Sequence, residues 1–154
     1  MTEDDGGTPV RPFQQKTVSH VLGEITWLMS QSPLHKQMFI GDLEWFAMPA
    51  ILLEQFRIFQ GPQSPAGLAM WATLSDEADQ RMRAGGSRLR PDEWRSGENL
   101  WLVELIAPFG GQDEMLADLA KNVFPGRSFR FHVATPDEGR VVKTYEEHIA
   151  AATH

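Results

Sequence analysis

The chain has 154 residues, enough for one domain with a substantial core, and its 42% hydrophobic and 23% charged content is that of an ordinary globular protein. A formal net charge of −7 disfavours non-specific nucleic-acid binding, and the lack of cysteine excludes thiolate catalysis, disulfides and any cysteine-containing zinc site. The N-terminus is acidic and glycine-rich, not basic and then apolar. No apolar run approaches the roughly 20 residues that cross a bilayer, so the expectation is a soluble cytoplasmic protein without a membrane span.

Residues 1–16 hold three acids, two glycines and two prolines and read as a flexible tail. The main domain is expected over 17–150, with a short C-terminal tail at 151–154. Val18, Val21, Leu22, Ile25, Leu28 and Met29 recur at helical spacing, which predicts a helix over 18–30 capped by Thr17 or Ser19 and ended by Pro33. Ser32-Pro33-Leu34-His35 therefore lies just beyond a helix. A shorter helical piece is expected around 42–50, ending near Pro49. Two strands, 51–59 and 66–72, flank a Gly-Pro-Gln-Ser-Pro turn. A helix over 75–84 starts at Ser75 with acids in its first turn and stops at Gly85-Gly86.

A polar loop then runs to about residue 98. With the end of the preceding helix it holds Arg81, Arg83, Arg88, Arg90 and Arg95, a local excess of positive charge in an acidic chain. It reads as a solvated loop or as the place that receives an acidic partner. LWLVELIA at 100–107 predicts a central strand, followed by a turn at 108–111, a helix over 113–124 and strands over 128–134 and 140–146. The order predicts a single α/β domain, a sandwich on a central mixed sheet.

Glu104 sits among apolar strand neighbours, where a carboxylate is costly unless it is paired. The two-residue period places it on one face with Leu100, Leu102 and Ile106. It reads either as a structural anchor or as a catalytic acid. His35, in a turn after a helix, is the best-placed general base if an acid supports it, and otherwise a surface or capping histidine. His20 fits a helix surface and His132 the wet face of a strand, while His148 and His154 lie near the C-terminus. No metal-ligand spacing is present. The backbone amides of Gly110 and Gly111, after Phe109, can meet an anion or form an ordinary turn.

Three segments carry a resemblance. VLGEITWLMSQSPLHK (21–36), DEWRSGENLWLVELIAPFGG (92–111) and FPGRSFRF (124–131) resemble, in this order, the toxin-activating lysine acyltransferases of the RTX haemolysin system. The resemblance implies a fold related to the Gcn5-like N-acetyltransferases. It also implies transfer of a fatty acyl group from acyl-carrier protein to an internal lysine of a protein acceptor, with no permanently bound cofactor and a tendency to form homodimers. The family's histidine falls on His35, its catalytic aspartate on Glu104 and its serine on Ser32. An asparagine of some members falls on Phe46. In this frame His35 removes a proton from the lysine amine and Glu104 supports the imidazolium. Phe109, Gly110 and Gly111 are candidate oxyanion surroundings, and the five arginines are candidate contacts for the acyl carrier. The rival readings are an inactive binding protein on the same scaffold and an acyltransferase for a small amine.

Overall fold

The computed structural model describes residues 16–146. The two expected tails therefore lie outside the described residues, except for Lys16. In chain order the helices are α1 (Val18–Ser30), α2 (Leu43–Phe46), α3 (Met48–Leu53), α4 (Asp76–Arg83) and α5 (Gln112–Asp118). The strands are β1 (Phe56–Gln60), β2 (Pro65–Leu74), β3 (Asn99–Ile106), β4 (Phe129–Thr135) and β5 (Gly139–Tyr145). They form one mixed sheet in the order β1-β2-β3-β4-β5, parallel only between β3 and β4. This is the central mixed sheet that the element order implies.

Two apolar clusters sandwich the sheet. On one face Val21, Ile25, Leu28 and Met29 of α1 pack with Phe46, Ala50, Ile51, Met82 and the β2 side chains Leu68, Met70, Ala72 and Leu74. On the other, Leu119, Ala120 and Phe124 cover Ala69, Leu100, Leu102 and Phe129. Thr17 caps α1 by accepting from the His20 backbone N–H at 3.1 Å, and Ser75 caps α4 by accepting from that of Ala78 at 3.2 Å.

Several expected boundaries move. The strand expected over 51–59 is helical in its first part, because Pro49 stands in the opening turn of α3, where no N–H is needed, and starts that helix instead of ending one. Glu54 closes α3 in the left-handed region at φ 59°. The helix expected to run to 124 changes to a π-helical turn over Leu119–Val123, closed by the Phe124 N–H on the Leu119 carbonyl at 2.8 Å.

The run Trp94-Arg95-Ser96-Gly97 is a clasp. The Ser96 hydroxyl donates to the Glu93 carbonyl at 2.7 Å and accepts from the Ser75 backbone N–H at 2.9 Å. The Ser96 and Gly97 amides both donate to the Thr73 carbonyl. A Cβ on Gly97 would stand 2.4 Å from the Leu74 carbonyl oxygen, a backbone atom that cannot swing away. Gly97→Ala is therefore expected to destabilise the fold by about 1–3 kcal/mol, read as a lowered urea midpoint. An unchanged midpoint would mean that the clasp yields freely.

Candidate active site

One irregularity in the sheet builds the site. Between the pairs Met70↔Glu104 and Trp71↔Leu102 the register of β2 and β3 shifts, leaving Val103 without a partner on β2. Such a bulge reverses the phase of side-chain alternation. Leu100 and Leu102 face the α5 side, whereas Trp101 and Ile106 face the α1 side. Glu104 joins Ile106 on the α1 side, so the single shared face expected for Leu100, Leu102, Glu104 and Ile106 is corrected. The alternation rule fails there because it assumes an unbroken ladder.

The second half of the site comes from the end of α1. Gln31 caps the helix, Pro33 cannot continue it, and the chain folds into short turns in which the His35 and Lys36 amides donate to the Ser32 carbonyl at 3.0 and 2.9 Å. These turns bring the imidazole back over the sheet. Its Nε2 lies 2.8 Å from Glu104 Oε1, and its Nδ1 lies 2.6 Å from the Ser32 hydroxyl. An ionised carboxylate only accepts hydrogen bonds, so the Nε2–H donates to Glu104. In the neutral ring, the lone pair on Nδ1 then accepts from the Ser32 O–H. The order is Ser32, His35, Glu104, with the histidine in the middle. Ser32 is 6% exposed, and the His35 and Glu104 side chains are 11% and 27% exposed. The Phe46 ring packs beside the imidazole with centroids 5.8 Å apart.

Residues 14–146 match the model of the RTX toxin acyltransferase family. The chain belongs to that family. It is 30% identical over 126 residues to the RTX-II toxin-activating lysine-acyltransferase of Actinobacillus pleuropneumoniae, covering 80% of this chain and 78% of that protein. The RTX-I toxin-activating lysine-acyltransferase of the same organism is 34% identical over 128 residues, 83% of this chain and 73% of the relative. A lysine-acyltransferase of Vibrio cholerae is 30% identical over 108 residues, 70% and 71% of the two chains.

In this family member the other expected site residues fall in different places. Phe109 is exposed and leans on Trp27 of α1, with centroids 5.9 Å apart. The Gly110 N–H is already donated to the Ala107 carbonyl at 3.1 Å, so it is committed to a turn and not held ready for an oxyanion. Gly110 and Gly111 both adopt positive φ, which gives them a conformational reason to be glycine.

The arginine group is also largely committed. Arg81 grips Glu93 with two bonds, at 2.9 and 2.6 Å. Arg83 bonds Asp79 and Arg90 bonds Asp92, while Arg95 binds the Gln55 side chain and the Leu53 carbonyl. Arg88 differs: its guanidinium lies 4.4 Å from the centre of the Trp45 ring and forms no ion pair among the described residues. Of the five arginines that the sequence reads as a solvated loop or as the place that receives an acidic partner, three are thus paired with the chain's own acids Glu93, Asp79 and Asp92.

His132 corrects a further expectation. It is not on a wet face: its Nε2–H donates to the Met82 carbonyl at 2.7 Å, and its ring packs against Trp101. Burial holds its pKa below the ordinary 6.5, and the nearby Arg140 charge acts in the same direction, against the Met82 bond and the Glu104 charge. The folded form therefore takes up this proton less readily than the unfolded chain. The stability contribution is full above about pH 6.5 and is lost as pH falls through the folded value. Urea midpoints measured across about pH 5–8 are expected to decline on the acid side, with a shallower decline in His132→Gln. An identical acid slope in that variant would assign the effect to other groups.

Proposed function

We propose that this protein moves a fatty acyl group from acyl-carrier protein to the side-chain amine of an internal lysine in a protein acceptor of the RTX toxin type. Family membership supplies the reaction class, and two of the relatives named above are toxin-activating lysine acyltransferases. The observation that carries the reading to particular residues is the line Ser32–His35–Glu104, closed at 2.6 and 2.8 Å.

A lysine amine with a reference pKa near 10.4 is mostly protonated at neutral pH; the ammonium gives its first proton to solvent, and the free amine then needs a group that takes a second proton as the nitrogen attacks. Glu104 occupies the Nε2–H and leaves Nδ1 as the basic atom of His35. The Ser32 hydroxyl lies on that lone pair and hands the amine proton on to it. The amine nitrogen bonds to the acyl carbon, the carbon–sulfur bond breaks, and the departing thiolate takes the proton back from the imidazolium. During the step Glu104 faces a positive ring instead of a neutral one, so its electrostatic support grows as the charge forms. His35 opens on a surface groove, which suits a protein segment better than a closed chamber for a small amine would.

A second reading gives Ser32 the acyl group as a transient ester, because the serine–histidine–carboxylate order is that of a nucleophilic triad. Both routes bring the substrate to the Ser32 hydroxyl, and an acyl adduct on the enzyme is what separates them.

His35→Ala is expected to slow single-turnover transfer by about 10²–10⁴-fold while circular dichroism stays native. Glu104→Gln slows it less. Glu104→Asp is expected to fall below the parent, since a side chain one methylene shorter opens a contact that the glutamate closes at 2.8 Å. Intact-mass measurement with acyl carrier and no acceptor is expected to find no acyl group on the enzyme. A stable adduct abolished by Ser32→Ala would establish the ester route, and full activity in His35→Ala would remove this site from the mechanism.

A further inference from the structure

We propose that Trp45 is a positioning residue for His35: it holds the Phe46 ring in place, and Phe46 in turn fixes the tilt of the imidazole. This rests on the acyl-transfer reading and adds to it a residue that acts through its neighbour.

His35 lies in turns outside any helix or strand, so regular backbone does not set the direction of its ring. The hydrogen bonds at 2.6 Å to Ser32 and 2.8 Å to Glu104 hold its two nitrogens, and they leave the tilt about the line between those atoms to packing. Phe46 supplies that packing, with its ring plane 53° from the imidazole. Yet Phe46 is the last residue of α2, a helix of four residues. One helical turn is not stable by its own hydrogen bonds, so the directions of its side chains have to be set by contacts from outside.

Trp45 brings those contacts from three sides. Its ring meets Phe46 edge to face, with centroids 5.8 Å apart and planes at 89°, an arrangement that the charge distribution of aromatic rings favours. Its indole N–H donates to Asp42 Oδ1 at 3.2 Å, and the other oxygen of that carboxylate accepts from the Phe39 N–H at 2.9 Å. The indole is thereby tied to the chain where it enters α2. The Arg88 guanidinium covers the ring at 4.4 Å from its centre, and no ion pair among the described residues draws it elsewhere. Contacts therefore run without a gap from Arg88 through Trp45 and Phe46 to His35. An error of about 1 Å at a reacting group costs about 10²-fold in rate, so a loosened Phe46 is felt at the imidazole. With Trp45 gone, Phe46 is free to turn, water reaches the imidazole face, and the ring no longer keeps Nδ1 on Ser32 and Nε2 on Glu104.

Two measurements on the full chain test this, and the first needs no substrate. Histidine ¹⁵N spectra are recorded at about pH 8, above the ordinary histidine pKa of about 6.5, and the His35 signals are assigned by their loss in His35→Ala. The parent is expected to show a proton on Nε2 and a lone pair on Nδ1. Trp45→Ala is expected to draw the two nitrogen signals together, as the ring exchanges between its two neutral forms. In the second, single-turnover transfer is expected to slow about tenfold in Trp45→Ala, and Trp45→Phe, which keeps a ring on Phe46, to recover most of that loss. Arg88 is exposed, so Arg88→Gln leaves the fold intact. It is expected to move the nitrogen signals in the same direction by less and to slow transfer about twofold. Unmoved His35 nitrogens in Trp45→Ala would overturn the proposal, and so would slowed transfer with unmoved nitrogens, which would make Trp45 a substrate contact. A Trp45→Ala chain that fails to fold passes the decision to Arg88→Gln, where unmoved nitrogens overturn the proposal equally. Moved nitrogens in a protein that transfers no acyl group from any donor would leave the positioning standing and sink the acyl-transfer reading. Transfer by the parent, with unmoved nitrogens in the variants, would do the reverse.

Discussion

Glu104 meets His35 because β3 carries one residue more than the strand beside it. Without the bulge at Val103, strict alternation would turn the carboxylate toward Leu119, Ala120, Phe124 and Phe129, where nothing in the apolar layer can pair with it. With the bulge, the same residue points to the layer that holds α1, and the turn after α1 supplies its partner. A contact between groups 69 positions apart in sequence thus depends on a one-residue irregularity in a ladder. The bulge also separates two duties within one strand, packing by Leu100 and Leu102 on one face and polar chemistry by Glu104 on the other.

The fold surrounds this contact with apolar contacts and committed charges. Phe46 packs on the imidazole where a polar neighbour would compete for its hydrogen bonds, so the ring keeps only two partners, Ser32 and Glu104. Asp79 collects the Trp101 indole N–H, Arg83 and Arg130 beneath α4, and Glu93 collects Arg81 and the Arg90 backbone. These buried acids hold α4 and the following loop to the sheet. Three of the five arginines of this region thereby neutralise the chain's own carboxylates. Among the described residues Lys36 lines the groove at His35, and Arg88 stacks on Trp45 without an ion pair.

Much of the architecture was legible because its signals are local. The stripe of Val21, Ile25, Leu28 and Met29 needs only the helical period, Ser75 announces the start of α4, and the continuous apolar run of β3 marks a central strand. The errors have equally local causes. Ile51 and Leu52 look like strand residues until Pro49 is recognised as the opening of a helix, and the π turn at Leu119–Val123 has no sequence signature. His132 reads as exposed from alternation because its covering partners, Met82 and Trp101, come from α4 and β3.

The sequence by itself determined that this is one α/β domain, which turn carries the histidine and, through motif resemblance, which family the chain resembles. These follow from periodicity, capping and residue identity, all of which act over a few neighbouring positions. Only the tertiary structure decided which face Glu104 takes, which nitrogen of His35 meets Glu104 and which meets Ser32, and which arginines pair with the chain's own acids. Each of those depends on register or on contacts between distant segments. A shift of one residue in a β ladder reverses a side chain's direction without changing a letter of the sequence.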